Sequence, residues 1–325
     1  MERRVAVLLV EGYTDSTLAV LMDVLRAANA LAGPTFRVTL CSAEGGPLTA
    51  ASGLTSASTR TLRSARNADV VVLPGIWAES PREIDAVLAR GETQALARAA
   101  KSAHARGALV AASCSGVFVL ADAGVLDGAR ATTAWWLAPH LRRRCPRVEV
   151  DAKASLVVGS NVVCAGAVFG VADLALHLVA RFLGPAIAHR CANVLLLAPH
   201  PSQAPYMAVH QLGHNDRVVR DAETWVRANL ARAFDVRELA RGVGTSPRTL
   251  ARRLDAAVGM SPIRFVQHLR VEMAVHLLHT TRRGIDEIAR DVGYADANTL
   301  RRLLRRDAHA TPRELRARRP TRVAS

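Results

Sequence analysis

Lysine is nearly absent: Lys101 and Lys153 are the only two in 325 residues. The 43 basic side chains are therefore almost all arginine, whose rigid fork reads phosphates and base edges better than a point charge does. A bias this uniform also fits genomic composition. Cysteine is sparse, five in all, with no Cys-x-x-Cys pair and no histidine pair at zinc spacing. That excludes a disulfide framework and a zinc site, and no metal or cofactor is expected. No apolar run reaches the ~18 residues a spanning helix needs, and no signal peptide precedes the first strand. The expectation is a cytoplasmic protein without a membrane partner.

What is present in excess is positive charge, and it is unevenly placed. The net charge is +15. Residues 218–325 hold 22 Arg against 12 acidic residues, a net of +10, while the first 217 residues carry 21 Lys or Arg against 16, a net of +5. Charge gathered into a third of the chain is the footprint of nucleic-acid binding. The same third repeats itself. Val236, Glu238, Leu239, Ala240, Arg241, Val243 and Gly244 recur 49 residues on as Ile285, Glu287, Ile288, Ala289, Arg290, Val292 and Gly293. After one inserted residue, Ser246, Leu250, Arg252 and Leu254 recur 50 residues on as Asp296, Leu300, Arg302 and Leu304.

Each copy has the grammar of a helix-turn-helix. Asp235 with Glu238 forms a capping box, and Gly242 and Gly244 break the helix in a tight turn. Ser246 caps the next helix, with Pro247 at its first position. Leu250, Leu254 and Val258 then share an inner face, while Arg248 and Arg252, four apart, share another with Thr249 beside them. In the second copy Asp296 is the cap, Leu300 and Leu304 face inward, and Asn298, Thr299 and Arg302 face out. Arg reads guanine, Asn reads adenine, and Thr can touch either. Arg253 in the first copy is also expected to contact DNA, and Arg301, Arg305 and Arg306 in the second are expected to hold phosphates. Between the copies, Pro262 to Leu278 is predicted to be a rigid helix with Val266, Leu269, Met273 and Leu277 inward. Before the first copy, Val218 to Leu230 is a helix burying Ala222, Trp225, Val226 and Leu230.

The two-copy layout, its linking helix and the closing Thr311-Pro312 before Leu315 resemble the DNA-binding domain of AraC/XylS-type transcription regulators. That family usually carries an aromatic where this chain has Leu300, a change that keeps the core apolar. The resemblance implies double-stranded promoter DNA as partner, and RNA polymerase if the protein is an activator.

The amino-terminal part alternates strands and helices. The uninterrupted apolar run at 5–10 and the segments 36–41, 69–73 and 108–112 read as strands, with helices at 17–31, 82–89 and 92–105 between them. A Ser/Thr-rich hairpin is expected at 49–61. This pattern predicts an α/β open, mostly parallel sheet, whose ligand sites lie beyond the strands' carboxyl ends. Tyr13, Gly75, Cys114 and Ser115 fall there and form the expected ligand pocket. Two further strands, 156–158 and 162–164, flank a turn. Two helices at 167–183 and 186–197 carry apolar positions around most of their surface, which points to burial against a second copy of the chain. Arg142, Arg143 and Arg144 read as a solvated helix face, His140 as a surface residue, and Asp173 with His177 as a helix-surface hydrogen bond.

Ala111-Ala112-Ser113-Cys114-Ser115-Gly116 is a strand-turn-helix elbow, a turn that lifts one side chain above a sheet and aims helix N–H groups at it. A helix N-terminus there would lower the thiol pKa. With the following Ala123-to-Thr133 segment, the elbow resembles ThiJ/PfpI-type domains of the class I glutamine amidotransferase-like superfamily. Those domains imply a flavodoxin-like fold and either cysteine chemistry or its loss. This chain departs from the pattern at the partners of the cysteine. Ser115 stands where histidine is common, Thr14 where a glutamate is common (with Glu11 and Asp15 as neighbours), and Ala134 where regulators of this build have histidine. A thiol without a base is no nucleophile, so no catalytic residue is expected.

The chain is therefore expected to divide into an α/β unit at 1–197, a proline-rich linker at 198–216 containing Pro199, Pro201 and Pro205, and an all-α unit with two helix-turn-helix motifs at 217–320. The layout resembles GlxA-type regulators. It implies a homodimeric DNA-binding transcription regulator with a possible small-molecule effector. The alternative is a Cys-dependent hydrolase or amidase carrying a DNA module.

Overall fold

The computed structural model describes residues 2–56, 59–78, 80–203, 216–308 and 310–317. The chain forms two compact units, Met1–Gln203 and Ala204–Ser325. The part of the expected linker at 204–215, and the end of the expected DNA module at 318–320, lie outside the described residues.

In the first unit the strands are β1 (Arg3–Leu8), β2 (Phe36–Ser42), β3 (Arg60–Thr61), β4 (Val70–Leu73), β5 (Leu109–Ser113), β8 (Leu156–Val158) and β9 (Val162–Ala165). They form one sheet in the order β3-β2-β1-β4-β5-β9-β8, parallel except for the antiparallel β8–β9 hairpin. A separate short pair joins β6 (Arg130–Ala131) to β7 (Glu149–Val150). The helices are α1 (Asp15–Ala32), α2 (Pro81–Leu88), α3 (Gly91–Ala105), α4 (Val117–Asp122), α5 (Ala138–Arg144), α6 (Gly170–Leu183) and α7 (Pro185–Val194).

The central strand β4, β1 from Val5 onward and β5 as far as Ala112 are apolar without interruption because both faces are covered. Val5, Val7 and Leu9 point into one core with Leu21, Leu25, Leu174 and Leu178 of α1 and α6. Ala6, Leu8 and Val10 point into the other with Ile84, Leu96, Phe118 and Leu141. The order reverses between β1 and β4, so the crevice beyond these two strands is the place where such a sheet offers a ligand site.

Three local expectations change. The segment 49–61 is no simple hairpin. Thr49–Thr55 and Gly46–Thr59 form antiparallel bridges, but Arg60–Thr61 pairs parallel with the edge of β2, extending the sheet. Asp173 does not bond to His177, whose Nε2 is buried without a partner. It accepts instead from Nδ1 and the backbone N–H of His200, both at 3.1 Å. Third, the compact unit runs six residues past Leu197. Gln203 is buried, and its Nε2 donates to Thr132 Oγ1, Thr133 O and Ala154 O, while its Oε1 accepts from Ala167 N at 2.8 Å. Polar side chains that reach buried acceptors hold this stretch in place, despite the prolines around it.

The second unit contains α8 (Arg217–Ala228), α9 (Val236–Gly242), α10 (Pro247–Val258), α11 (Pro262–Thr280), α12 (Ile285–Asp291), α13 (Ala297–Asp307) and α14 (Pro312–Ala317). Gly242 ends α9 from inside the helix, and the turn itself is made by Gly244 at φ 65. Two cores lie along α11. Phe265 and Leu269 join α8, α9 and α10 through Val226, Leu239, Leu250 and Leu254. Val271, Ala274 and Leu278 join α12 and α13 through Ile288, Leu300 and Leu304. The expected single inner stripe of α11 is therefore too narrow. Leu269 is fully buried, but Val266, Met273 and Leu277 are only half-buried, because the helix serves one core on each half of its length.

Candidate functional site

At the crevice, the four residues expected to line a pocket do converge. Tyr13 bridges Ile76, and Thr14 N donates to Gly75 O at 2.8 Å. Ser115 Oγ donates to Ile76 O at 2.5 Å and accepts from Ile76 N at 2.7 Å. Cys114 stands at φ 53, the left-handed strain of an elbow residue. Its N–H donates to Gly166 O, and its carbonyl accepts from Thr133 Oγ1 at 2.7 Å. Gly116 is required behind it, since a Cβ there would collide with the Leu73 and Pro74 carbonyls.

The elbow is nonetheless closed. Cys114 is 5% exposed, and Tyr13, Thr14 and Ser115 are buried with it. The void beside Tyr13, Pro74 and Ile76 measures about 10 Å³, room for no more than a water. Burial pushes the Cys114 thiol up to about 11, and hydrogen bonds from the Ser115 backbone and side chain only partly oppose it. The expected lowering by a helix N-terminus is overturned: a 3-10 turn precedes the six-residue α4, and desolvation outweighs it.

The candidate bases are engaged elsewhere. Glu11 accepts from Thr49 N, and Asp15 accepts from the hydroxyl and N–H of Ser52. His140 is not a free surface residue. It stacks on Phe118, and its Nε2 lies 3.0 Å from Asp85 Oδ1. Arg144 ties Asp85 to Asp122, so that part of the arginine run is a structural clamp.

In the second unit, Asp235 caps α9 by accepting from Glu238 N, and Ser246 caps α10 by accepting from Thr249 N. Leu250 and Leu254 anchor α10, and Arg248 and Arg252 stand exposed. Asp296 caps α13 by accepting from Asn298 N and Thr299 N, and Leu300 and Leu304 anchor it. Among the described residues no ion pair engages Arg248, Arg252, Arg302 or Arg305. The others are committed. Arg253 donates to Asp216 Oδ2, the cap of α8, at 3.0 Å. Arg301 Nη1 donates to Asn298 Oδ1 at 2.9 Å. Arg306 donates to Asp307 and to Gln267 of α11. Thr249 Oγ1 pairs with Ser246 Oγ at 3.0 Å. Asp216 and Gln267 carry no motif, so nothing in sequence marks Arg253 and Arg306 as internally held.

Comparison with known proteins matches residues 3–181 to the DJ-1/PfpI family and residues 239–318 to a helix-turn-helix domain. The chain belongs to the DJ-1/PfpI family. It is 27% identical to the HTH-type transcriptional regulator GbdR of Pseudomonas aeruginosa, over 96% of this chain and 84% of that protein. It is also 27% identical to the HTH-type transcriptional regulator GlxA of Rhizobium meliloti, over 97% and 96%. A solved structure of an AraC family transcriptional regulator from Pseudomonas putida covers 59% of this chain at 25% identity, with 99% of its own length matched and a TM-score of 0.51. A DJ-1/PfpI domain joined to a helix-turn-helix domain is thus the architecture of this chain, and the relatives it matches over most of their length are named transcriptional regulators.

Proposed function

We propose that the protein is a sequence-specific transcription regulator that binds double-stranded promoter DNA through α10 and α13, as a homodimer assembled by the DJ-1/PfpI unit. The observation that carries this reading is the set of four arginines with no ion pair among the described residues, Arg248, Arg252, Arg302 and Arg305, on capped helices whose opposite faces are locked into cores. An arginine left without a carboxylate on a rigid helix is prepared for a guanine edge or a phosphate. The DJ-1/PfpI unit senses a small molecule through the crevice at Tyr13, Gly75, Cys114 and Ser115, which opens to admit it. The unit acts without catalysis, because a buried thiol with a raised pKa and no adjacent base does not attack. Selection of binding sites from random duplexes with the full chain tests DNA binding, and a consensus no sharper than random would reject it. Alkylation of Cys114 followed against pH tests the other half. Its rate should rise toward pH 11 rather than near 9, the ordinary value. A fast reaction at neutral pH, or an adduct formed during turnover of an ester or amide, would favour a hydrolase.

A further inference from the structure

Of the four aromatic side chains in the described part of the second unit, three gather around two arginines, Arg232 and Arg270. Arg270 lies at the middle of α11, with its guanidinium 5.3 Å from the ring centroids of both Phe234 and Tyr294. Its Nη2 donates to Arg232 O at 2.8 Å, in the loop between α8 and α9. Its Nη1 donates to Gly293 O at 3.1 Å, in the turn between α12 and α13. Arg232 in turn lies over Trp225 and Phe234. Gly293 sits at φ 80 so close to Leu230 O and to the Arg270 head that no Cβ fits there. Among the described residues no carboxylate pairs with Arg270, and its Nε is buried without a hydrogen-bond partner.

A half-buried cation satisfied only by carbonyls and ring faces is a costly way to gain stability. What it does supply is geometry. Its two donors grip one backbone carbonyl in the loop that leads into the first helix-turn-helix and one in the turn of the second, and the planar fork fixes their separation. We propose that Arg270 is a positioning residue that sets the distance and twist between α10 and α13, and thereby the spacing of the two DNA segments the protein accepts. Among the described residues the two cores share the partly buried Met273, and Arg306 with Gln267 and Arg264 with Asp307 also tie α13 to α11, so Arg270 adds a fixed span between the two copies beside these contacts. This inference rests on the reading that both helices contact one duplex.

The test uses the full chain and the duplex selected by it, with base pairs inserted between the two protected segments. One inserted pair turns the second groove by about a tenth of a helical turn. The wild type should lose about tenfold or more in affinity with one or two inserted pairs, the steepness expected when two rigidly linked contacts must be met together. Arg270→Met, which keeps the apolar stem, should lose about tenfold at the native spacing yet stay within about threefold of wild type at the altered ones, flattening the preference. Arg270→Lys has a single head that cannot grip both carbonyls, and should fall between. It decides the matter if Arg270→Met melts below the assay temperature. The proposal is overturned if either folded variant keeps the wild-type spacing preference, or loses affinity equally at every spacing. A wild type indifferent to spacing would instead remove the two-segment reading, and this inference with it.

Discussion

The two helix-turn-helix copies share a plan but spend their polar groups differently. In the first, both arginines four apart on α10, Arg248 and Arg252, are open, and Asp235 and Ser246 cap both helices. In the second, α12 begins at Gly284 with no side-chain cap, Asn298 is occupied by Arg301, and Arg306 is fastened to Asp307 and Gln267. Among the described residues of α13, Arg302 and Arg305 have no ion pair. Equivalent backbones therefore present unequal surfaces: the first copy ties Arg253 and Thr249 but leaves its two arginines four apart open, while the second ties Asn298, Arg301 and Arg306.

The largest effect should be the one that does not distinguish the copies. Leu250 and Leu300 are both fully buried at matching positions. Leu250→Ala and Leu300→Ala should each cost roughly 2–5 kcal/mol in denaturant unfolding of the second unit. A cost under about 1 kcal/mol for either would mean that its core collapses around the gap and the copies are not equivalent.

Next comes base reading. Arg248→Ala and Arg252→Ala should each lose ~1–3 kcal/mol of DNA affinity and relax the consensus at defined bases, with Arg302→Ala doing so less. If site selection with Arg302→Ala loses the consensus while both first-copy variants retain it, the roles of the copies are reversed.

A smaller contrast lies within the second copy. Arg305→Ala should weaken all sequences alike and reduce the slope of log affinity against log salt by about one. Arg306→Ala should change that slope by clearly less, because its guanidinium is already paired with Asp307. Equal slopes would show that the Arg306 pair opens on DNA.

The smallest effect concerns caps. Asp235→Ala should destabilise the unit by ~1 kcal/mol, whereas Gly284→Ser, at φ −64 and ψ 154, should add a cap to α12 and gain only a few tenths. Thermal melting of the two variants checks both signs, and a loss at position 284 would break the parallel between the copies.

Much of this was legible from residue order. The runs at 5–10, 70–73 and 108–112 are uninterrupted and apolar, and the sheet covers both their faces. The repeat with its caps located α9, α10, α12 and α13 within a residue or two, because capping and turn chemistry are local. Readings that needed a distant partner went differently. Helix spacing pairs Asp173 with His177, but His200 reaches it from the end of the unit. The unit's end was placed at Leu197 by proline content, but Gln203 finds buried carbonyls that no local pattern announces. The face of α11 was drawn as one stripe, because periodicity alone cannot tell a helix serving one core from one serving two.

The sequence by itself determined the two fold types, the elbow at Cys114 and the positions of the recognition helices, since each follows from hydrophobic period, glycine placement and capping within a few residues. Only the tertiary structure decided which polar groups are spent. It closed the elbow, raised the Cys114 thiol, engaged Glu11 and Asp15 with the 49–52 loop, and tied Arg253, Arg301 and Arg306 while leaving Arg248, Arg252, Arg302 and Arg305 open. The reason is that desolvation and pairing depend on neighbours brought together across tens of residues. A charged side chain's availability is therefore a property of the folded surroundings, not of its place in the chain.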